Sequence, residues 1–324
     1  MVYLIAGAIS LIVSGLMIKI GPRLGWIDIP DGSALKAHAR AAIPLGGVGV
    51  FLAVHTAMAV NASFDWGLFI ASALVFVVGL VDDRFQLSPK VRVIFELAAA
   101  LLLLGFADLP LEITNPIHVL VVVVLVVGAA NAVNLFDGLD GLVGTAGAVA
   151  GVGLALLAAG RSIDGSFGWI LASALVGFLV FNWHEARVFL GDNGAYSVGV
   201  FLVYGLLTVS PTATAADILV ALAVLGVFGL DMVSTLLRRR LAGVPMFLGD
   251  RSHLYDQLND RGVAVGVIAV IVGAVQVGFV AVALGIDSIA NPWLITGIWV
   301  VIGIMAVGLV RAAGLLSTTQ IVDV

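Results

Sequence analysis

The sequence predicts an all-α, polytopic integral membrane protein of about eleven transmembrane helices, with ten as the lower count. Three observations lead there. Of the 324 residues, 61% are hydrophobic and only 11% charged, where a soluble domain is nearer half apolar and a quarter charged. Apolar stretches of roughly 15–23 residues recur along the whole chain, close to the ~17–25 that cross a bilayer as a helix. Read alternately from side to side, these stretches put nearly all the basic residues on one side, as the positive-inside rule requires.

Taken in order, the stretches lie near 2–20, 44–60, 67–81, 91–106, 116–135, 141–159, 167–183, 195–209, 215–237, 263–284 and 292–310. In the first, "MVYLIAGAISLIVSGLMI", no positive charge precedes the apolar core, and Lys19 and Arg23 follow it. A cleaved signal peptide has the opposite order, so this is read as a span whose N-terminus lies outside. The third, fourth and eighth are short, which is why ten spans is the alternative. Counting eleven, the inner loops begin near residues 19, 82, 135, 184, 238 and 311. They hold fourteen of the 15 basic residues, leaving Arg161 alone outside and the C-terminus in the cytoplasm. The longest connections are about 25 residues, too short for a soluble domain, so residues 1–324 are expected to form one membrane-embedded domain. There is no repeat of fixed period. With no cysteine, disulfides, thiolate metal sites and cysteine nucleophiles are excluded, and the net charge of −5 says less than its distribution.

Four polar clusters interrupt the apolar pattern: "VDDRFQLSPKVR" (81–92), "NAVNLFDGLDGL" (131–142), "NWHEARVFLGDNGAYSVG" (182–199) and "LGDRSHLYDQLNDRG" (248–262). All four fall on the inner side, whereas outer loops such as "ADLPLEITNP" and "VSPTATAAD" read as plain connectors. Any one cluster could be a helix cap or a turn, because Asp and Asn beside Gly serve both. Arg238–Arg240 reads as a topology anchor, and His55 and His118, without polar company in the sequence, as packing or interfacial residues. Glu96 lies inside the fourth stretch, where an ionisable residue is by default a functional one; an ion pair with Arg92 one turn earlier is the other reading.

Together the clusters say more. Asp82, Asp83, Asn131, Asn134, Asp137, Asp140 and Asp192 gather five carboxylates and two amides at one membrane face. Hard oxygen donors with no His/Cys pattern suit Mg²⁺, or Mn²⁺ in its place. Lys36, Arg92, Arg251 and His253 add cations. A metal among acids, ringed by basic side chains, is what a diphosphate substrate requires. On the cytoplasmic face that substrate would be a nucleotide conjugate, and a chain that is nearly all membrane points to a lipid as the second one. Nothing points to nucleic acid.

At these residues the chain resembles the polyprenyl-phosphate N-acetylhexosamine-1-phosphate transferases, glycosyltransferase family 4. That family includes phospho-N-acetylmuramoyl-pentapeptide translocase and the transferases that start O-antigen, teichoic-acid and arabinogalactan lipid intermediates. The resemblance runs in order through "KAHARAAIPLGGVGV", "DDRFQLSPKVR", "NAVNLFDGLDGL", "ARVFLGDNGA" and "DRSHL". It implies transfer of a sugar 1-phosphate from a UDP-sugar to a polyprenyl phosphate (undecaprenyl or decaprenyl), releasing UMP at the cytoplasmic face of the plasma membrane. It further implies that Asp192 and Asn134 hold Mg²⁺ and that Asp82 and Asp83, with Asp192, form the catalytic centre. Asp82 and Asp83 would lie beside the lipid phosphate, with Arg92 and Lys36 neutralising phosphoryl oxygens. Asn131, Asp137 and Asp140 would line the substrate side, Arg251 and His253 would close over the diphosphate and sugar, and a homodimer is compatible.

Two departures matter. The family's usual "GDxGS" is "GDNGA", with Ala195 in the serine's place, and the late "H-I-H-H" is "HLYD", with Tyr255 and Asp256. The single histidine weakens the muramoyl-pentapeptide branch, and "DRSH" is closer to the branch that transfers GlcNAc-1-phosphate. A secondary transporter would place its charges near the midplane in two related halves, and neither feature is visible. A CDP-alcohol phosphotransferase would need an A-R pair that "DGLDGLVGT" lacks. A degenerate regulatory member is suggested only by Ala195 and the missing histidines.

Overall fold

The computed structural model describes residues 1–28, 41–243 and 253–315. Lys36 and Arg251 lie outside the described residues. All eleven expected stretches are helical: α1 (Val2–Ile20), α2 (Gly46–Val60), α3 (Trp66–Phe85), α4 (Pro89–Phe106), α5 (Pro116–Phe136), α6 (Leu142–Gly160), α7 (Ser166–Asn182) and α8 (Gly191–Thr208) come first. The ninth is broken into α9 (Ala215–Ala221), a 3-10 turn at Leu222–Leu225 and α10 (Gly226–Ala242). A short α11 (Leu254–Asp260) precedes α12 (Val265–Ile286) and α13 (Pro292–Ala312).

Among the described residues seven helical segments are long and apolar enough to cross a membrane, with Ala215–Ala242 counted as one. Helices α2 and α7 are apolar but shorter. Helices α4 and α8 fall outside that group because polar residues occupy their first halves: Lys90, Arg92 and Glu96 in α4, Asp192 and Asn193 in α8. The multi-span membrane character stands. The polar turns are where the chemistry concentrates.

Successive helices run in opposite directions, so α3, α5 and α7 end, and α4, α6 and α8 begin, at the same end of the bundle. The opposite, far end is closed by side-chain caps. The Asp65 carboxylate accepts from Leu68 N at 2.8 Å, and Asn115 and Asn291 accept from the second residues of α5 and α13, each behind a proline at the first helical position. Such caps satisfy amide donors that a helix start leaves unpaired.

Helix α8 is the axis of the bundle. Every residue from Asn193 to Leu207 is buried, against α3 and α5 and with α2 beside them. By contrast, α13 exposes Trp293, Ile304 and Leu309, as expected of a helix facing lipid. Helix α6 packs on α7 through small residues, with Gly151 and Gly168 set so close that a Cβ on either would meet the other's carbonyl. Close backbone approach of this kind is the usual way helices associate where no hydrophobic force separates them from lipid.

One sequence expectation changes here, and one outlying residue finds its partner. Arg238 and Arg239 are 2% and 4% exposed, so this pair is built into the protein rather than standing at a surface. Arg161 is paired: it donates to Asp287 at 2.6 and 2.9 Å and to the carbonyl of Val209, stapling the α6–α7 turn to the α12–α13 turn at the far end.

Candidate active site at the converging helix ends

The last turn of α3 carries two adjacent carboxylates that face different neighbours. Asp83 accepts from the backbone N–H of Asp192 at 2.9 Å, from that of Asn193 at 3.3 Å, and from the Asn193 side-chain amide at 2.7 Å. It therefore caps the N-terminus of α8 from another helix, where a negative charge meets unpaired N–H groups and the positive end of the helix dipole. The same Asn193 amide donates to the carbonyl of Pro44 at 3.0 Å, tying in the start of α2. This contact needs backbones nearly touching: a Cβ on Gly79 or Gly47 would sit 2.4 Å from the backbone of Asn193 or Gly194. Gly191 itself has φ +74°, in the left-handed region that glycine tolerates. Asp83, expected beside the lipid phosphate, has both oxygens committed to α8.

Asp82 points the other way. It is 4% exposed and accepts from the Tyr196 hydroxyl at 2.6 Å, from Arg92 at 3.3 Å and from Leu87 N at 2.7 Å. Arg92 also donates to Tyr196 at 3.1 Å. The result is a closed carboxylate–phenol–guanidinium triangle joining α3, α4 and α8. Arg92 remains partly exposed, at 27%. Glu96 does not take Arg92; its Oε2 accepts from the Asn131 amide at 2.7 Å, and that amide also donates to Val127 O.

Asn131 and Asn134 are one turn apart on α5 and so share a face. The Asn134 amide donates to Asp192 Oδ1 at 2.5 Å, orienting that carboxylate where α8 begins. Asp137 ends α5 and is half-buried. Burial, and then the negative charges of Asp192, Asp83 and Asp140, hold its carboxyl well above the usual carboxylate range. Asp140 accepts from Ala186 N at 2.9 Å, and Asn182 accepts from Gly141 N at 3.0 Å while donating to Val188 O at 2.9 Å. The "DGLDG" turn is thus fastened to the α7–α8 connection.

The late motif docks on the same region. His253, 4% exposed, pairs through Nδ1 with Asp231 of α10 at 2.7 Å and lies 3.1 Å from the Thr235 hydroxyl. Tyr255 donates to Leu135 O at 2.7 Å and abuts Phe136. Gly138 has no Cβ because Tyr255 occupies that space. Asp256, in one of the departing positions, completes the capping box with the His253 backbone N–H.

Five expected residues therefore converge: Asp82, Asp83, Arg92, Asn134 and Asp192 are linked through α8. Asn131, Asp137 and Asp140 flank them on the α5 end and its turn, with His253 behind. No cluster of three His, Cys, Asp or Glu occurs among the described residues. The donor set still fits a hard cation, because Mg²⁺ takes only one or two protein carboxylates and completes its shell with phosphate and water. Asp192 offers its second oxygen and Asp137 a carboxyl crowded by like charge, which a cation would relieve.

Tyr196, Asn193, Asn182 and Asp231 were not singled out in the sequence. Asp231 had a usable signal, a lone acid inside the apolar "GVFGLDMVS". Tyr196 lies one helical turn after Asp192, a spacing that marks a shared face. His55 and His118 do have polar partners, Ser72 at 2.9 Å and the amide of Glu112 at 2.9 Å, both away from the convergence.

Known proteins resemble this chain across the helices that carry these residues. Residues 66–210, from α3 to just past α8, match the family model described as glycosyl transferase family 4. A Bacillus subtilis protein named probable undecaprenyl-phosphate N-acetylglucosaminyl 1-phosphate transferase is 24% identical over 273 residues, covering 78% of this chain and 75% of the relative. The Thermotoga maritima undecaprenyl-phosphate alpha-N-acetylglucosaminyl 1-phosphate transferase is 29% identical, with 78% and 79% covered. A Mycobacterium leprae decaprenyl-phosphate N-acetylglucosaminephosphotransferase is 26% identical, with 81% and 77% covered.

Proposed function

The chain belongs to glycosyl transferase family 4 through residues 66–210, and from that premise we propose that it transfers a sugar 1-phosphate from a UDP-sugar to a polyprenyl phosphate. The products are a polyprenyl-diphosphate-sugar and UMP, the first lipid intermediate of a cell-envelope glycan. GlcNAc-1-phosphate is the group transferred, as the names of the relatives and the "DRSH" motif both favour. The site faces the cytoplasm in an eleven-span arrangement, a reading supported by the fourteen basic residues on that side.

The single observation that carries the reading is the junction at the start of α8. There Asn134 orients Asp192, while one turn away Arg92 and Asp82 meet Tyr196. An anion-handling arginine of α4, held by Tyr196, and a metal-competent carboxylate, Asp192, thus meet along the first turns of α8. In the reaction an oxygen of the lipid phosphate attacks the sugar-bearing phosphorus of the UDP-sugar. The new P–O bond forms as the bridging P–O bond breaks, and its electron pair leaves on UMP. A phosphate monoester has a second pKa of about 6, so the nucleophile is mostly dianionic at neutral pH and no protein base is needed.

Arg92 is the cation placed to receive that dianion, and Asp82 holds its guanidinium in place. Asp83 and Asn193 fix the N-terminus of α8, so Asp192 cannot drift relative to Arg92. Asp192, with Asn134 and Asp137, would hold Mg²⁺, which when bound neutralises the diphosphate and the departing UMP. Arg251 and Lys36 are assigned to the phosphates by their motifs alone.

The test is incubation of purified protein with a panel of UDP-sugars, polyprenyl phosphate and Mg²⁺, assayed for UMP. Release with UDP-GlcNAc is expected. Dependence on UDP-N-acetylmuramoyl-pentapeptide would move the chain to the other branch, and no release with any donor would sink the reading. Label exchange between UMP and UDP-sugar, requiring the lipid phosphate, separates an enzyme from a transporter.

A further inference from the structure

We propose that Asp231 is a positioning residue for this transfer: it fixes His253 as the Nδ1–H tautomer and leaves Nε2 to face the diphosphate substrate. The inference rests on the reaction proposed above and extends it to a residue outside the motif cluster.

Asp231 is an acid in the apolar first half of α10, 1% exposed. A buried charge is expensive unless both its oxygens are used, and here both are. Oδ1 accepts from the backbone N–H of Leu254 at 3.0 Å, and Oδ2 lies 2.7 Å from His253 Nδ1. An ionised carboxylate only accepts, so Nδ1 carries the proton. Among the described residues every hydrogen bond made by the ring is at this nitrogen, including the approach of Thr235 Oγ1 at 3.1 Å.

The ring plane is fixed as firmly as its tautomer. Tyr255 stacks on it, centroids 5.2 Å apart and planes within 7°. The Tyr255 hydroxyl donates to Leu135 O, in the turn of helix that carries Asn134 and leads to Asp137. The backbone N–H of His253 donates to Asp256 at 3.3 Å. The imidazole is therefore held against the α5 end with one nitrogen committed to the protein. Nε2 is the remaining nitrogen, an acceptor in the neutral ring and a donor to a phosphoryl oxygen in the charged one.

Asp231→Asn separates positioning from mere helix capping. Asparagine keeps the shape and can still accept from Leu254 N, but then its NH₂ faces Nδ1. The ring must switch to the Nε2–H tautomer to accept that donor, and its free nitrogen reverses character.

The experiment uses full-length protein with ¹⁵N-labelled histidine in lipid vesicles, with His253→Gln identifying the His253 signals among the five histidines. A protonated Nδ1 and a substrate-free Nε2 are expected in the wild type, with the protonation pattern reversed at Nδ1 and Nε2 in Asp231→Asn. Alongside, kcat for UMP release should fall on the order of 10²-fold, the scale of a lost proton-handling group, with KM for the lipid phosphate little changed. Thr235→Val should keep the wild-type tautomer and most of the activity. Identical ring signals in wild type and Asp231→Asn overturn the proposal, as does an activity loss matched by a fall in thermal stability with no change at the ring. If the wild type itself releases no UMP from any donor, the reaction reading fails, and the ring signals still decide whether Asp231 sets the tautomer.

Discussion

The Tyr196 phenol donates to Asp82 at 2.6 Å across the α3–α8 interface, and Arg92 bonds to both. A carboxylate already accepting from three donors is poorly placed to take a fourth proton from substrate. It is well placed to hold an arginine still.

Removing the phenol tests that role. Tyr196→Phe leaves Asp82 short of one charge-assisted hydrogen bond, a loss of about 1.5–3 kcal/mol. If it is felt in the transition state, kcat/KM for lipid phosphate should drop about 10- to 150-fold, while KM for UDP-sugar stays near wild type. An unchanged value for the lipid would mean the triangle serves the fold alone.

Asp82→Asn asks the base question directly. With the substrate dianion as nucleophile, the mutant should be slower yet keep a rate that rises through about pH 6, the second pKa of a phosphate monoester. The measurement is the pH profile of kcat/KM for lipid phosphate in both proteins, which reports ionisations of free enzyme and free substrate. A flat, far lower profile would restore the general-base role.

Asp192→Asn should abolish nearly all activity, because a neutral amide of the same volume cannot balance a divalent cation on a diphosphate. A second readout avoids dependence on turnover: Mg²⁺ should raise the Tm of the wild type in detergent and leave that of the mutant unmoved, since only a bound ligand stabilises. A tenth of wild-type turnover at saturating Mg²⁺ would remove Asp192 as principal ligand.

Gly79→Ala inserts a methyl 2.4 Å from the backbone of Asn193, where no side chain can rotate aside. Overpacking of this kind costs about 1–3 kcal/mol. The α8 start must move away from α3, and a shift of about 1 Å at a catalytic group can cost 10²-fold in rate. A fully active, equally stable variant would show that the α3–α8 contact is looser than drawn.

Arg161→Gln probes the far end. It unpairs Asp287, so stability should fall by about 1–3 kcal/mol while kcat and both KM values hold. The check is a thermal melt beside the UMP assay, and a matching loss of activity would break the expected separation of the two ends.

The helices were legible because their apolar runs have bilayer length, and the site because its polar residues interrupt those runs at a single end. What hydropathy hid were the places where polar residues stay helical. Helix α3 runs on to Phe85 through Asp82 and Asp83, and α8 begins at Gly191, ahead of Asp192 and Asn193, so both overran their expected limits of 81 and 195. The opposite failure occurs at Leu222–Leu225, where four apolar residues form a 3-10 turn that no polarity signal announces. The motif residues could be named from sequence, but not the split between neighbours: Asp82 turns to Arg92 and Asp83 to α8, and only the packing of three helices assigns them.

The Arg161 staple also orders events in time. Arg161 leaves the ribosome 126 residues before Asp287, so at about 5–20 residues per second it waits roughly 6–25 s for its partner. Within that interval α7 and α8 follow, completing α1 to α8, the part that holds the junction around Asp192, well before Asp287 is made. The catalytic half can therefore assemble first, and arrival of the α12–α13 hairpin acts as a late latch. Chains truncated after α10 should insert but remain open at the far end, accessible to protease until the hairpin is supplied.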